Sequence, residues 1–391
     1  MARRRDRRSL IPLVLATLAA QASIMVLAPI MVEIGRNLDA SVSAVGQART
    51  VMAAVAAAAS LRVGPLVDRI GVRPVLTWGA VFAATGHVVT SMAGGLAVFY
   101  AGHVFIGLGV ACLLSAGFAG AGAWFDEEDA PWALGYVVAS QSIAWIVGNP
   151  IIGILTDAVS WRLAYAVPGA AALAALAAGL LARAGRREKR SEPTRSGMTD
   201  IARDPSARRW TVAEFVAYSA WTAELTYIGA FYVQTYDVRE SLVGFLLAIG
   251  SVAFLISTLG TDRLVRRLGG RRRRMVIGSA LGMGSLVLVI MNVTPAVAFT
   301  VSLFFLMALC AGVRSTGSSA LALGLMPSQP GAMMAARTTS AQLGYTLGAM
   351  IGGLVIAVAG FGALGVFLFV GMAFSAVLIA RVGEPQDAVA R

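Results

Sequence analysis

Residues 97–123 read AVFYAGHVFIGLGVACLLSAGFAGAGA and contain no Asp, Glu, Lys or Arg. A helix needs about 20 mostly apolar residues to cross the hydrocarbon core of a bilayer, so this stretch is long enough to span a membrane. The rest of the 391-residue chain has the same character, because 58% of its residues are hydrophobic and only 13% are charged. These proportions lie far from those of soluble domains and predict an integral membrane protein.

Twelve apolar stretches of spanning length are separated by charged or Pro/Gly-rich breaks. Each predicts a helix, because hydrocarbon has no water to satisfy the open edge of a strand. Their many Ala, Gly and Ser residues suit close helix packing in lipid. The limits of these twelve predicted spans are 10–32, 42–63, 74–95, 97–123, 132–156, 162–182, 210–234, 241–261, 275–293, 296–322, 333–358 and 361–380.

The composition excludes several classes of function. The net charge of +12 is placed between apolar blocks and not on a polar surface, which argues against nucleic-acid binding. Lys189 is the only lysine, so the chain has no phosphate-binding loop ending in Lys-Ser/Thr and no lysine within a span. Cys112 and Cys310 lie in apolar runs, where cysteine behaves as a small hydrophobe. We therefore expect no cofactor, no metal site and no enzymatic activity.

Basic residues predict how the chain is oriented, because they favour short cytoplasmic loops. With the N-terminus in the cytoplasm, only Arg36, Arg162 and Arg239 fall outside, Arg49 and Arg314 lie within spans, and all other basic residues face the cytoplasm. The start MARRRDRRSL resembles a secretion signal, but eleven further spans make it a retained end. Both termini are therefore predicted to be cytoplasmic, in the cytoplasmic (inner) membrane.

A polar, arginine-rich stretch divides the spans six and six. It covers residues 184–209 and is predicted to be a cytoplasmic linker between two six-helix bundles, 1–183 and 210–391. The halves resemble each other, since GPLVDRIG at 64–71 corresponds to DRLVRRLG at 262–269. Repeated bundles are typical of secondary transporters.

The loop after span two carries the most specific motif, GPLVDRIGVR at 64–73. Gly64 and Gly71 are expected to permit close packing and a tight turn, and the Asp68 carboxylate suits a helix N-terminus or an arginine. The pattern resembles the loop signature of the major facilitator superfamily, and most closely that of its twelve-span drug:proton antiporters and sugar-efflux proteins. The matching residues are Gly64, Asp68, Arg69, Gly71 and Arg73.

This resemblance covers essentially the whole chain and has definite implications. It implies an all-α membrane fold of twelve helices in two pseudo-symmetric bundles, alternating access, and a monomer that handles a small-molecule substrate and protons. The loop motif would be a latch between the halves that stabilises the outward-open state. The alternative is a solvated turn whose arginines only set the topology.

Span five contains GNPIIG at 148–153. It is similar to the Gly-Pro motif of the antiporters, and Gly148, Pro150 and Gly153 are expected to kink the helix. Ordinary membrane helices also carry such residues, so a purely structural kink is the alternative. Asn149 interrupts the usual Gly-Pro pair, which leaves uptake open beside antiport.

Ionisable residues within spans are costly and are therefore functional candidates. Glu224 lies about 18 Å into span seven, while Arg49 and His103 lie about 10 Å below the outer surface on spans two and four. We expect Glu224 to exchange a proton. Arg49 would tune this proton exchange or bind an anion, and His103 is the second candidate for carrying a proton. The alternatives are a Glu224–Arg49 ion pair that locks the halves and a His103 that satisfies a local hydrogen bond.

Two further residues are candidates for a substrate cavity. Gln21 lies at the middle of span one and Arg314 in span ten, and the resemblance implies a cavity among spans one, four, seven and ten. For Arg314 the default expectation is that it snorkels to the cytoplasmic interface. Glu214 is expected to reach water near the cytoplasmic mouth. Tyr218 and Trp221 suit contacts with a flat apolar ligand but equally suit packing.

The sequence thus favours proton-coupled export of a small organic compound or drug. The first alternative is a carrier for a small organic or inorganic anion that uses Arg49 and Arg314. A remote alternative is a membrane sensor that transports nothing.

Overall fold

The computed structural model describes residues 7–126, 129–181, 196–267, 271–326 and 330–383. Within these ranges every regular element is a helix, which confirms the predicted all-α class. Some residues used in the sequence argument lie outside the described part. They are residues 1–6 of the N-terminal stretch, residues 184–195 of the linker stretch with Lys189, Leu268 and Gly269 of the second repeat copy, and the side chain of Asp68.

The helices follow one another with short connections. In chain order they are α1 Arg7–Met25, α2 Leu27–Asn37, α3 Val42–Ile70, α4 Val72–Ser91, α5 Leu96–Ala123, α6 Ala130–Ile143, a π-helical turn Ala144–Gly148, α7 Asn149–Ala158, α8 Trp161–Ala164, α9 Ala166–Leu181, α10 Ser196–Arg203, α11 Pro205–Tyr236, α12 Glu240–Arg267, α13 Arg272–Asn292, α14 Val297–Leu325 and α15 Pro330–Ala380.

Helices occupy each of the twelve predicted stretches. Nine helical segments of the described chain are long and apolar enough to cross a membrane. The last of them covers two predicted spans, because α15 runs on through Gly360, whose φ of 75° is not helical. Helices α4 and α11 cover predicted spans three and seven but are not among the nine. The count of twelve therefore stays a prediction.

The chain divides into two compact units. Unit 1 comprises 1–192 and 238–248, and unit 2 comprises 193–237 and 249–391. In unit 1, α5 packs against α1, α3 and α4, and α9 packs against α1 and α4. Large aromatic side chains such as Phe99, Trp161 and Tyr165 are fully buried there.

Unit 2 is organised around its long last helix. Helix α15 packs against α11 and α13, and α13 also packs against α14. The core near one end of this unit includes Trp210, Val276, Leu321 and Ile379, all with no exposed surface. Burial of Trp210 leaves its indole N–H to be satisfied within the protein, and the Ser318 hydroxyl accepts it at 2.9 Å.

Local chemistry explains a helix boundary that the apolar pattern misses. Helix α11 begins at Pro205, before the predicted limit of residue 210, and α10 precedes it within the predicted linker. The Asp204 carboxylate accepts the Ala207 N–H at 2.6 Å and so caps α11, and Pro205 stands at a helix start where its missing N–H costs nothing. The cap extends the helix into polar sequence, which a hydropathy criterion does not detect.

Close packing of α4 against α5 gives a stability prediction. A Cβ on Gly109 would lie 2.6 Å from the Ala83 backbone N, whereas a Cβ on Gly122, in the same helix, would meet nothing within 4 Å. We expect Gly109→Ala to destabilise the protein by about 1–3 kcal/mol, because backbone atoms cannot move aside. Gly122→Ala is the matched control and should be neutral. The measurement is the thermal unfolding midpoint in detergent, and equal midpoints would contradict this packing argument.

Candidate functional site

The predicted site residues are distributed between the units. Gln21, Arg49 and His103 belong to unit 1, and Glu224 and Arg314 belong to unit 2.

Glu224 is buried in an apolar part of unit 2. The residue is only 2% exposed to solvent, and its Oε1 atom has no hydrogen-bond partner among the described residues. It lines a cavity of about 10 Å³, which is at the lower limit for one water molecule. The other lining residues are Ala220, Trp221, Met283, Gly284, Val287, Leu368 and Met372.

This setting determines what Glu224 can do chemically. No basic side chain is among the residues that line its cavity. An isolated carboxylate pays a large desolvation cost in such surroundings, whereas a neutral carboxyl pays far less. Glu224 is therefore a buried carboxyl group that no basic side chain lining its cavity can neutralise.

Glu214 and Arg314 form a buried ion pair in unit 2. Arg314 Nη2 lies 2.5 Å from Glu214 Oε1, and the side chains are 3% and 0% exposed. The Ser318 hydroxyl donates to the same Oε1 at 2.9 Å. The expectations that Arg314 snorkels and that Glu214 reaches water are therefore wrong. Depth along a single helix could not show that spans seven and ten bring these opposite charges together.

Arg337 adds a second positive charge to this cluster. Its Nε lies 3.6 Å from Glu214 Oε2, and its Nη2 donates to the Ser315 hydroxyl at 2.9 Å. Its guanidinium also lies over the Tyr218 ring at 5.4 Å. We name Glu214, Arg314, Ser318 and Arg337 the charge cluster. From the sequence, Arg337 was predicted only to face the cytoplasm. The short polar run around it, in an otherwise apolar stretch, is a signal that could have identified it as a site residue.

Arg49 is buried at 7% exposure in unit 1 and bonds to main chain. Its Nη1 donates to the carbonyl of Ile24, in the turn where α1 ends and α2 begins. The Pro29 ring nitrogen has no N–H for the Met25 carbonyl, one residue further on. Arg49, a charged donor from α3, thus bonds to main chain beside the interruption between α1 and α2.

His103 also makes local contacts. Its Nδ1 lies 2.8 Å from the Phe99 carbonyl oxygen, and its Nε2 lies 3.4 Å from the Tyr165 hydroxyl. The Phe99 ring packs on it with centroids 4.5 Å apart. His87 lies near by, with its ring 5.9 Å from that of Tyr165, and bonds to the Ser23 hydroxyl at 2.8 Å. Both histidines therefore belong to one buried polar and aromatic group.

Gln21 is joined to two residues of span five. Its Nε2 donates to Gln141 Oε1 at 2.6 Å, and its Oε1 accepts the Trp145 indole N–H at 3.1 Å. All three side chains are partly exposed. Gln141 and Trp145 were not among the predicted site residues. Gln141 could have been found by the reasoning that selected Gln21, because it is a neutral amide inside an apolar span.

The loop motif connects α3 and α4. Gly71 separates them with a φ of 93°, a value that few residues other than glycine adopt. Arg73 donates from Nε to the Gly179 carbonyl at 3.0 Å and from Nη2 to the Leu180 carbonyl at 2.5 Å, at the end of α9. Arg69 is exposed. The prediction of close packing at Gly64 is wrong for the described residues, because a Cβ on Gly64 would meet nothing within 4 Å.

Span five contains an irregular helix at the predicted motif. The π-helical turn Ala144–Gly148 lies directly before Pro150, whose ring nitrogen cannot complete a helical hydrogen bond. A Cβ on Gly153 would lie 2.8 Å from the Ser241 Cα, so glycine permits the close approach of α7 to the start of α12. The Asp157 carboxylate then accepts the Ser241 N–H at 3.0 Å, where the helix N-terminus favours a negative charge.

Long apolar helices with a few buried charges are the features of a polytopic membrane protein. The sequence model of the Major Facilitator Superfamily matches residues 13–329, which is most of the chain. The protein therefore belongs to the major facilitator superfamily and is a secondary transporter. No match was found among the curated proteins.

Solved structures share this fold. A bacterial homologue of the human lysosomal transporter Spinster, in an inward-facing and unoccupied conformation, has a TM-score of 0.72 at 12% identity over 97% of this chain and 96% of that chain. A D-xylose-proton symporter has a TM-score of 0.78 at 12% identity over 97% and 98%. At this identity the likeness shows the fold alone.

The charge cluster predicts an asymmetric cost of mutation. Glu214→Leu leaves two arginines without their shared carboxylate, so we expect it to cost about 3–5 kcal/mol of unfolding free energy. Arg314→Leu should cost less, because Arg337 remains near Glu214. The double variant Glu214→Leu/Arg314→Leu should cost less than the sum of the single variants. Unfolding in a detergent–denaturant titration measures these values, and additive costs would contradict a direct interaction.

Proposed function

We propose that the protein is a proton-coupled transporter that exports a small organic compound, with Glu224 carrying the proton. The observation that carries this proposal is the burial of the Glu224 carboxyl on α11 with an unpartnered Oε1 and no basic side chain lining its cavity. The fold accommodates such coupling, since a proton symporter is among the structures that share it.

The arginines support this choice over the anion carrier. An anion carrier needs guanidinium groups free to meet a substrate, but Arg314 is bonded to Glu214 and Arg49 to the Ile24 carbonyl. His103 is a weaker proton carrier than Glu224, because both of its ring nitrogens face partners. We therefore assign Arg49, Arg314 and His103 to positioning within the bundles.

Aromatic residues beside Glu224 suit an organic substrate with an apolar surface. Trp221 is half-buried and stacks on Phe254 at 5.5 Å, and Tyr218 packs edge-on against Tyr345 at 5.7 Å. Such flat faces bind apolar or cationic molecules through contact area and the ring quadrupole. Within unit 1, Gln21 with Gln141 and Trp145 is a candidate for polar contacts with the substrate.

The remaining expectations complete the proposal. Two six-helix bundles, 1–183 and 210–391, work by alternating access in the cytoplasmic (inner) membrane, with both termini in the cytoplasm. The loop motif stabilises one state through Asp68 and Arg69, while Arg73 holds the end of α9. The π-helical turn that ends at Gly148, with Pro150 and Gly153 in the helix after it, supplies flexibility in span five.

Glu224→Gln tests the coupling. The variant keeps the shape of the side chain but cannot release a proton, so we expect substrate-driven proton release from everted vesicles to fall to the level of vesicles lacking the protein. A pH-sensitive dye reports the release while lipophilic cations, neutral metabolites and small organic anions are added in turn. Exchange of labelled for unlabelled substrate should persist, because it needs no net proton movement.

The matched control for this measurement is Glu33→Gln. Glu33 is a partly exposed carboxylate that pairs with Arg36 at 3.8 Å, so its loss should leave proton release unchanged. Wild-type-like proton release from Glu224→Gln would contradict the assignment of the proton to Glu224. Loss of both proton release and exchange would assign Glu224 a structural role instead.

Arg49→Gln separates the proposal from the anion carrier. If Arg49 only supports the Ile24 carbonyl, the variant should lose about 1–3 kcal/mol of stability and still export a lipophilic cation. An anion carrier would instead lose transport of anions altogether. Initial rates per amount of folded protein distinguish the two outcomes, with Arg36→Gln, at an exposed arginine, as the control.

A further inference from the structure

A groove in unit 2 combines a basic rim with an apolar floor. It has a volume of about 860 Å³, within the range of sites that hold small molecules. Three arginines line it, Arg267 at the end of α12 and Arg271 and Arg274 at the start of α13. Its floor includes Met275, Gly278, Leu309, Cys310 and Val313 from α13 and α14.

The three rim arginines are available to a ligand. They are exposed, and none of their side chains has a hydrogen-bond or ion-pair partner within the described part of the chain. Their neighbours differ, because Arg272 donates to the Ala320 carbonyl at 3.2 Å and Arg273 to the Val382 carbonyl at 2.8 Å. The groove is therefore lined by three arginines whose side chains are not bonded to other described residues.

The floor is open as well as apolar. A Cβ on Gly278 would meet nothing within 4 Å, although α13 packs closely elsewhere. Gly278 lies four residues beyond Arg274, so about 6 Å separate the rim from the floor along the helix. A ligand that fills the groove must therefore be anionic at one end and apolar within a few ångströms of it.

We propose that this groove binds an anionic phospholipid. The arginines contact the phosphate groups through charged, forked hydrogen bonds, and an acyl chain lies over Gly278 and Cys310. Basic grooves between the cytoplasmic ends of membrane helices offer this complementarity, and the charge bias of the sequence predicts that these ends are cytoplasmic. The proposal concerns the lipid environment and does not depend on the transported substrate.

A binding titration tests the role of the rim. Native mass spectrometry of the full chain in detergent should show phosphatidylglycerol bound more tightly than phosphatidylcholine. The triple variant Arg267→Gln/Arg271→Gln/Arg274→Gln should remove this preference, at about fivefold in affinity for each arginine. The control replaces three exposed arginines on the same predicted face, Arg203, Arg208 and Arg209, and should retain the preference.

A second measurement tests the floor without changing charge. In a Cys112→Ala background Cys310 is the only thiol, and its reaction with a maleimide should slow when phosphatidylglycerol is added but not when phosphatidylcholine is added. Gly278→Leu fills the groove, so it should abolish phosphatidylglycerol binding there while the protein stays monodisperse.

Three results would overturn the lipid site. The first is equal binding of the two lipids by wild type. The second is a phosphatidylglycerol preference that survives in the triple variant, because another surface would then hold the lipid. The third is a preference that survives in Gly278→Leu and is displaced by inorganic phosphate, because the arginines would then bind a free anion and not a lipid.

Discussion

The absence of water in the bilayer core is the constraint on which the rest of this structure depends. Each polar group inside a span must find its partner within the protein, since an unsatisfied group in hydrocarbon costs several kcal/mol. The described chain meets this demand with helices throughout and with contacts between helices. The pair formed by Glu214 and Arg314 is the strongest example, because two charges at 3% exposure or less satisfy each other.

Glu224 is the candidate site residue that meets this requirement for internal partners least well. Arg49 finds a carbonyl, His103 finds a carbonyl and a hydroxyl, and Gln21 finds another amide, so each fits a structural role. Glu224 leaves one oxygen without a partner in a cavity lined by apolar residues. The proposed proton coupling needs a group whose stable state changes with hydration, and a buried carboxyl with no basic side chain lining its cavity fits this need better than a residue bonded to its neighbours.

Much of the fold follows from the sequence, because length and apolarity along the chain are local properties. The apolar stretches predict the helices, and the interruption at Pro150 predicts an irregular helix. The site was harder to predict from the sequence, because its contacts join helices that are far apart along the chain. Pairing of Glu214 with Arg314, and of Gln21 with Gln141, depends on packing between spans. Reasoning about depth in one helix gave Arg314 and Glu214 the wrong surroundings.

The near-exclusive use of arginine links the fold to the groove. A guanidinium has five donors and keeps its charge, so one side chain can bond to carbonyl groups at a helix end and still be a cation. Arg73 does this at the end of α9, and Arg162 does so at the Ala93 carbonyl. Arginines without such a carbonyl, at the rim of an open apolar groove, are left with their full donor capacity. The geometry that stabilises helix ends elsewhere in the chain thus becomes, at that rim, a means of holding phosphate.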